Sequence, residues 1–174
     1  IDAAANFPDF ANSKENIARD LALAKDAGFT DIVVDVRPTT GDVLFKTNLV
    51  DQVKFMYAWI GSNYTKVERT ATWDYLQAFV DEARKQGLRI HAAINTFVGG
   101  NQIDGGTGLL YRDQSKAEWA TQMNMQVGIT SVMNTSESTK FFNPAHPEVQ
   151  TFLCDLLKDL AGYDLDGIFL DRGR

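Results

Sequence analysis

The sequence predicts an α/β fold that forms about the first half of a (β/α)8 TIM barrel, with strands 1–4, helices 1–3 and long βα loops. Apolar, β-branched runs alternate with amphipathic stretches at helical spacing, which indicates repeated strand–helix units. Residues 37–71 and 96–146 form long connections where strands end, as in barrel enzymes. A whole barrel needs about 250 residues. The 174 residues are therefore interpreted as one domain, 1–174, the N-terminal part of a barrel.

Local signals place the first two strands and the helix between them. Residues 1–7 are predicted to be the end of strand one. Ser13 is suited to cap the next helix through its hydroxyl, and Gly28 marks the end of that helix. Residues 31–38 are rich in β-branched side chains and predict a strand buried on both faces, which Pro38 ends. A doubly wound open sheet is the alternative, but no glycine-rich phosphate turn follows strand one.

The second and third helices have similar start and stop signals. Thr72 is predicted to cap a helix that ends at Gly87 and leads into a strand over residues 88–95. Pro147 favours the first position of the third helix, which precedes the last strand, residues 165–170. The chain thus reads as four strands separated by three helices.

Three further predictions concern the second long connection and the third helix. Ser115 begins a capping-box pattern, which predicts a short helix through Met123. Residues 126–133 and 140–142 are predicted to pair as a small hairpin. Cys154 lies among leucines and is predicted to be a small buried side chain.

Composition and charge exclude several kinds of protein. The 17 basic and 23 acidic residues give a net charge of −6 without a basic block, which argues against nucleic-acid binding and favours a neutral ligand. No apolar run approaches the roughly 20 residues of a membrane span. The two histidines lack metal-ligand spacing, and the glycine pairs are not followed by the Lys-Ser/Thr of a phosphate cradle. We therefore predict no metal and no cofactor.

Each predicted strand end carries polar side chains, at the edge where α/β proteins do their chemistry. In chain order these predicted site residues are Asn6, Asp35, Arg37, His91, Asn95, Asp171, Arg172 and Arg174. Alternation along a strand predicts that Asp35 and Arg37 share a face. A structural network that neutralises charges is the simpler explanation for any one of these residues, whereas their convergence on one rim favours a site. His91, within its strand, is more simply a hydrogen-bonded histidine of the core or rim.

Asp171 is the predicted catalytic residue. A carboxylate near guanidinium groups, here those of Arg172 and Arg174, stays ionised, which suits a nucleophile or a stabiliser of a cation. A glycosidase also needs a second, protonated carboxyl group, about 5–5.5 Å away if it retains the anomeric configuration and further away if it inverts it. None of the strand-end acids is an obvious proton donor, and a later strand of the barrel is expected to supply one.

Four aromatic residues of the long connections, Tyr57, Trp59, Tyr111 and Trp119, are suited to stack on sugar rings. Such side chains more often pin a long loop to the body of a protein. The sequence leaves both interpretations open.

Several segments carry a resemblance to a known family. Residues 142–149 (FNPAHPEV) and 163–174 (YDLDGIFLDRGR) closely resemble the glycoside-hydrolase-like 10 family, and residues 35–46 and 87–92 are similar to two more of its motifs. The resemblance implies an amylase-like TIM barrel of a bacterial, exported protein with a carbohydrate substrate. It implies that Asp171 lies where such barrels keep their nucleophile, with the acid/base on strand five, beyond residue 174.

The chain is therefore interpreted as the N-terminal half of a TIM-barrel glycosidase. Asp171 is the expected nucleophile or cation stabiliser, and the other strand-end residues and Asn143 are expected substrate contacts. Ala93, Phe45 and Phe169 depart from the tryptophan, tyrosine and arginine of the family or of true amylases. Two alternatives stay open, a non-catalytic carbohydrate-binding barrel and a barrel enzyme of another class. Downstream residues are expected to complete the barrel.

Overall fold

A computed structural model describes residues 1–125, 128–131, 133–134 and 138–171. Arg172 and Arg174 of the predicted site lie outside the described residues, as does Gln126 of the predicted hairpin. In chain order the elements are α1 (Ala3–Phe10), α2 (Lys14–Asp26), β1 (Asp31–Arg37), β2 (Phe55–Ile60), β3 (Asn63–Glu68), α3 (Tyr75–Gln86), β4 (Arg89–Asn95), β5 (Val98–Asn101), α4 (Leu109–Arg112), β6 (Gln122–Met125), β7 (Gly128–Ser131), β8 (Met133–Asn134), β9 (Thr139–Phe141), α5 (Pro147–Leu160) and β10 (Gly167–Asp171).

The centre of the fold is a parallel sheet in the order β1–β4–β10. Asp31 pairs with Arg89 at the start of the sheet, and Asp171 pairs with Asn95 at its end. The three strands are separated in sequence by α3 and α5, as in repeated βα units. The predicted second, third and fourth strands are thereby confirmed.

One face of the sheet is covered by helices and the other face is open. The even-numbered residues of β1 and β4 pack into a core with α2 and α3, in the set Ile32, Val34, Val36, Ile90, Ala92 and Ile94. On the opposite face Val33 is 41% exposed and Phe169 is 56% exposed. The prediction that β1 is buried on both faces is therefore wrong for this chain, in which the sheet alternates between a covered and an open side.

The predicted first strand is wrong, because residues 3–10 form the helix α1. Asp2 caps it by accepting a hydrogen bond from the Ala5 N–H at 2.7 Å. Ile1, before the helix, is hydrogen-bonded to β1: its backbone nitrogen donates to the Val33 carbonyl at 2.7 Å, and its carbonyl accepts from the Asp35 N–H. The three consecutive alanines favour a helix over a strand, a local preference that outweighs the apolar pattern.

Most other helix boundaries agree with the local signals. Ser13 caps α2, Gly87 ends α3 in the left-handed conformation at φ 65°, and Pro147 begins α5. Asp74, and not Thr72, caps α3 by accepting the Gln77 N–H.

Two short-range predictions are corrected. Residues Gln114–Trp119 form a 3-10 helix that Asp113 caps, so the predicted helix neither starts at Ser115 nor reaches Met123. Cys154 is exposed, because α5 turns its buried side chains to a different face from Cys154.

The two long connections fold into small antiparallel units at the carboxyl edge of the central sheet. The first contains the β2–β3 hairpin, and the second contains β5, β9 and β8 together with the β6–β7 hairpin. Met133 pairs with Lys140, as the predicted hairpin requires, whereas residues 128–131 pair with 122–125 instead. No helix within the described ranges is long and apolar enough to cross a membrane.

Candidate active site

A cleft of about 270 Å³ lies on the open face of the sheet, at the carboxyl ends of the strands. Its polar lining is Asp2, Asp35, Thr39, Asn95 and Asp171. Of the eight strand-end residues predicted from sequence, three therefore meet in one place. The same strand ends in other α/β folds form the floor of an active site.

Strand register puts Asp35 and Asp171 on the same face. Asp35 and Phe169 both pair with Ala93, from opposite sides of β4, and Asp171 lies two residues beyond Phe169. Side chains two residues apart on a strand share a face. With strands about 4.8 Å apart and a rise of about 3.3 Å per residue, the two Cα atoms are about 12 Å apart. The two carboxyl groups thus flank the cleft across a single intervening strand.

The electrostatic environment of Asp35 is unusual for an aspartate. Burial raises the pKa of Asp35 to about 6, and the nearby carboxylates Asp2 and Asp171 act in the same direction. The Arg37 N–H, 3.1 Å from Asp35 Oδ1, partly offsets this increase in pKa. A carboxyl group with such a pKa can hold or release a proton near neutral pH.

Asp171 has a different setting, at the exposed end of β10. Its backbone is fixed, because the Thr96 N–H and hydroxyl both donate to the Asp171 carbonyl, at 2.9 Å and 3.0 Å. The cleft therefore combines one carboxyl group whose pKa is raised by burial, Asp35, with a second, Asp171, at the exposed end of a strand.

Arg37 lies outside the cleft, contrary to the expected shared face with Asp35. A β-bulge advances β1 by one extra residue, so Arg37 is level with Ile94 and points to the covered side. Its buried guanidinium donates to the carbonyls of Asn95, Thr96 and Val98. Burial lowers the pKa of Arg37 to about 10. Arg37 therefore holds the β4–β5 corner together and is buried away from the cleft.

His91 lies at the other end of the sheet from the cleft. Its Nε2 is 2.9 Å from Asp31 Oδ1, at the start of β1. Four residues of β4, or about 13 Å, separate it from Asn95. The simpler interpretation of His91, as a hydrogen-bonded histidine, describes what the structure shows.

The remaining predicted contacts are divided between the cleft and the scaffold. Asn95 lines the cleft, with its amide nitrogen donating to the Arg37 carbonyl at 2.9 Å. Asn6 donates within α1 to the Asp2 carbonyl at 2.8 Å and does not line the cleft. Asn143 accepts from the Ala145 N–H at 3.0 Å, in the turn before α5. The side chains of Asn6 and Asn143 thus have backbone partners and do not line the cleft.

Asp2 is a cleft residue that sequence reasoning did not select. The sequence pattern predicts a strand over residues 1–7, whereas in the structure Asp2 caps α1 and lies in the cleft beside Asp35. An aspartate directly before three alanines is a helix-start signal that would have identified the cap.

A larger cavity, about 730 Å³, lies between residues 46–54 and the start of α3. Its acids already have structural tasks: Asp74 accepts the Tyr163 hydroxyl at 2.6 Å, and Asp159 accepts the Thr47 hydroxyl at 2.6 Å. It contains no strand-end carboxylate. Volume alone therefore does not identify the site, and the smaller cleft is the better candidate.

Comparison with known proteins places the chain among glycosidase-like sequences. Residues 3–172 match the glycosyl hydrolase-like 10 family. An S-layer-related protein of Niallia circulans is 30% identical over 180 residues, which cover 100% of this chain. The chain spans only 11% of that relative's length.

Solved structures with low sequence identity share the fold. A hypothetical protein from Ruminiclostridium thermocellum has a TM-score of 0.61 at 15% identity, covering 94% of this chain and 72% of its own. Alpha-L-fucosidase isoenzyme 2 from Paenibacillus thiaminolyticus has a TM-score of 0.60 at 19% identity, and the match covers 94% of this chain and 21% of the fucosidase. An alpha-amylase from Lactobacillus plantarum has a TM-score of 0.57 at 18% identity, and the match covers 97% of this chain and 36% of the amylase. The predicted fold class, part of a TIM barrel, is confirmed.

Proposed function

The chain belongs to the glycosyl hydrolase-like 10 family, and on that premise we propose that it supplies part of the active site of a glycoside hydrolase. The substrate is a polysaccharide or oligosaccharide. The observation that carries the proposal is the pair of carboxyl groups, Asp35 and Asp171, in unlike environments on one face of the cleft. Two carboxyl groups with divided acid and base roles are what hydrolysis of a glycosidic bond requires.

Asp171 acts on the sugar as the nucleophile or as a stabiliser of positive charge. As the bond between the anomeric carbon and the glycosidic oxygen breaks, positive charge develops on the sugar ring. Asp171 either bonds to the anomeric carbon or stabilises that charge across a short gap. Its anchored carbonyl supports this role, because a fixed backbone limits the positions that the carboxylate can take.

Asp35 is the proposed proton donor. It transfers its proton to the glycosidic oxygen, so that the leaving sugar departs as a neutral alcohol. A water molecule then adds its hydroxyl to the anomeric carbon, which breaks the bond to Asp171 where one has formed, and the water returns a proton to Asp35. The raised pKa of Asp35, about 6, supports this assignment. The alternative donor is an acidic residue on strand five, as the family resemblance implies.

The setting of the enzyme is also part of the proposal. Residues 1–174 form the N-terminal part of the catalytic barrel, and further strands complete it. The relative described as S-layer-related supports a location at the cell surface, reached by export. The net charge of −6 and the acidic cleft support a neutral glycan over an anionic one.

The test is glycan hydrolysis by the full-length protein and by an Asp171→Asn variant. We expect the substitution to lower kcat by about 10²–10⁴-fold, the range typical of a lost catalytic group. Asp26→Asn is the matched control, an exposed carboxylate at the end of α2. Undiminished turnover by Asp171→Asn would refute its role. Glycan binding without turnover by the unaltered protein would favour the non-catalytic carbohydrate-binding barrel.

A further inference from the structure

The β2–β3 hairpin presents an aromatic face to solvent. Its antiparallel register sets Tyr57 opposite Lys66 and Trp59 opposite Tyr64. Met56 and Ala58, which alternate with Tyr57 and Trp59 along β2, are only 4% and 3% exposed. That buried side packs on α1, which fixes the hairpin to the body of the protein. The aromatic residues are therefore left on the outer side.

The rings of this face form one continuous surface across both strands. The centroids of Trp59 and Tyr64 are 5.2 Å apart, and those of Tyr57 and Tyr64 are 5.4 Å apart in a stacked arrangement. Trp59 is 68% exposed and Tyr64 is 56% exposed. Adjacent exposed aromatic side chains of this size mark a binding surface more often than scattered single ones.

A polar group from the second long connection borders the rings. Asp104 Oδ2 lies 2.7 Å from Lys66 Nζ, and the Tyr57 hydroxyl donates to Asp104 Oδ1 at 3.1 Å. Asp104 has a positive φ of 49°, a conformation that costs free energy for a residue other than glycine. The contacts of Asp104 with Lys66 and Tyr57 stabilise this conformation of the loop. The aromatic rings thus have hydrogen-bonding groups at their edge.

We propose that this face, formed by Tyr57, Trp59, Tyr64 and Lys66, binds a neutral glycan chain. The C–H faces of pyranose rings stack on Trp59 and Tyr64, and the sugar hydroxyls meet the polar groups of Lys66 and Asp104. The hairpin belongs to the connection that leaves the carboxyl end of β1, the end that carries Asp35. A glycan held here lies on the same edge of the sheet as the cleft.

The charges on this face favour a neutral glycan over other ligands. Lys66 is the basic residue of the two strands, and its charge is balanced by Asp104. Nucleic acids and anionic membranes are bound through clusters of unbalanced Lys and Arg. Rigid aromatic rings with a hydrogen-bonding border suit a ligand that alternates apolar C–H faces with hydroxyl groups.

The test is calorimetric binding of four neutral probes, cellohexaose, maltohexaose, xylohexaose and chitohexaose, to the full-length protein carrying Asp171→Asn. We expect at least one probe to bind, and Trp59→Ala or Tyr64→Ala to weaken that binding about tenfold or more, as for aromatic anchors of other interfaces. Phe29→Ala is the matched control, because Phe29 is 61% exposed but precedes β1 at the opposite end. Its affinity should equal that of the parent.

Several results of these measurements would overturn the proposal. Absence of binding by all four probes, or equal affinity of the parent and the Trp59→Ala/Tyr64→Ala double variant, overturns the proposal. Loss of self-association or of liposome binding in that double variant, with glycan affinity unchanged, assigns the face to a different ligand and also overturns it. Circular dichroism of each variant checks that the hairpin change leaves the fold intact. Binding requires no turnover, so failure of the hydrolase proposal does not decide this one.

Discussion

Two aspartates at opposite ends of β1 have opposite electrostatic environments. Asp31 accepts hydrogen bonds from Arg89 and Thr30 and lies beside His91, and these partners hold the pKa of Asp31 well below its usual range. Asp35, four residues later, is partly buried near other carboxylates, and burial raises its pKa to about 6. Residue type and position on a strand therefore do not by themselves define a site. The sign of the pKa shift separates the structural ion pair from the candidate acid.

The largest expected difference between the two ends of β1 is in catalysis. Asp35→Asn should lower kcat of the full-length protein on its glycan by about 10²–10⁴-fold, because an amide cannot donate the required proton. Asp31→Asn is the control and should change kcat by no more than a few-fold. If Asp35→Asn lowers kcat only slightly, the proton donor must be an acidic residue of another strand.

Arg37 provides the largest expected effect on stability. Replacing it by methionine leaves three backbone carbonyls at the β4–β5 corner without their donor, which should lower the free energy of unfolding by about 3 kcal/mol. Urea unfolding measures the change. Arg69→Met, which alters an arginine that also donates to backbone carbonyls but is only partly buried, should cost less. Equal costs would contradict the distinct role given to Arg37.

The pH dependence of stability should have opposite signs at the two ends. The raised pKa of Asp35 means that the folded state loses stability as pH rises from about 4 through about 6, up to about 3 kcal/mol. Asp35→Asn should therefore be more stable than the parent at pH 8 and equal to it near pH 4. Asp31→Asn should be less stable at pH 7, and its deficit should vanish as pH falls through the lowered folded pKa of Asp31. Urea midpoints at each pH test both signs.

The smallest expected effect concerns the packing beside Asp31. A Cβ added at Gly167 would lie 2.8 Å from His91 Nδ1, so the imidazole would have to shift. Gly167→Ala should cost about 1 kcal/mol, and the cost should disappear in a His91→Ala background. A double-mutant cycle by thermal unfolding gives the coupling. Additive costs would show that the contact carries no energy.

Local chemistry accounts for what the sequence could predict. The β-branched run of β1, the Ser13 cap, the left-handed Gly87 and the Pro147 start all depend on neighbours in sequence, and each is confirmed. Parallel strands joined by helices then follow from element order, and the grouping of Asp35, Asn95 and Asp171 follows from parallel pairing.

Features that depend on distant contacts were beyond the sequence. The bulge that turns Arg37 away from Asp35 arises from pairing with β4, which no local pattern reveals. The raised pKa of Asp35 depends first on burial and then on the carboxylates of Asp2 and Asp171, which come from other parts of the chain. Cys154 is exposed although its neighbours in sequence are apolar, because those neighbours lie on a different face of α5.

The contact of Asp104 with Tyr57 and Lys66 also constrains how such a domain can diversify. Two insertions that lie some forty residues apart in the chain share one acid. A hairpin exchanged between homologues without its matching loop would lose the partner of its lysine and one border of its ring surface. The two segments should therefore be inherited, and transplanted, as a single unit.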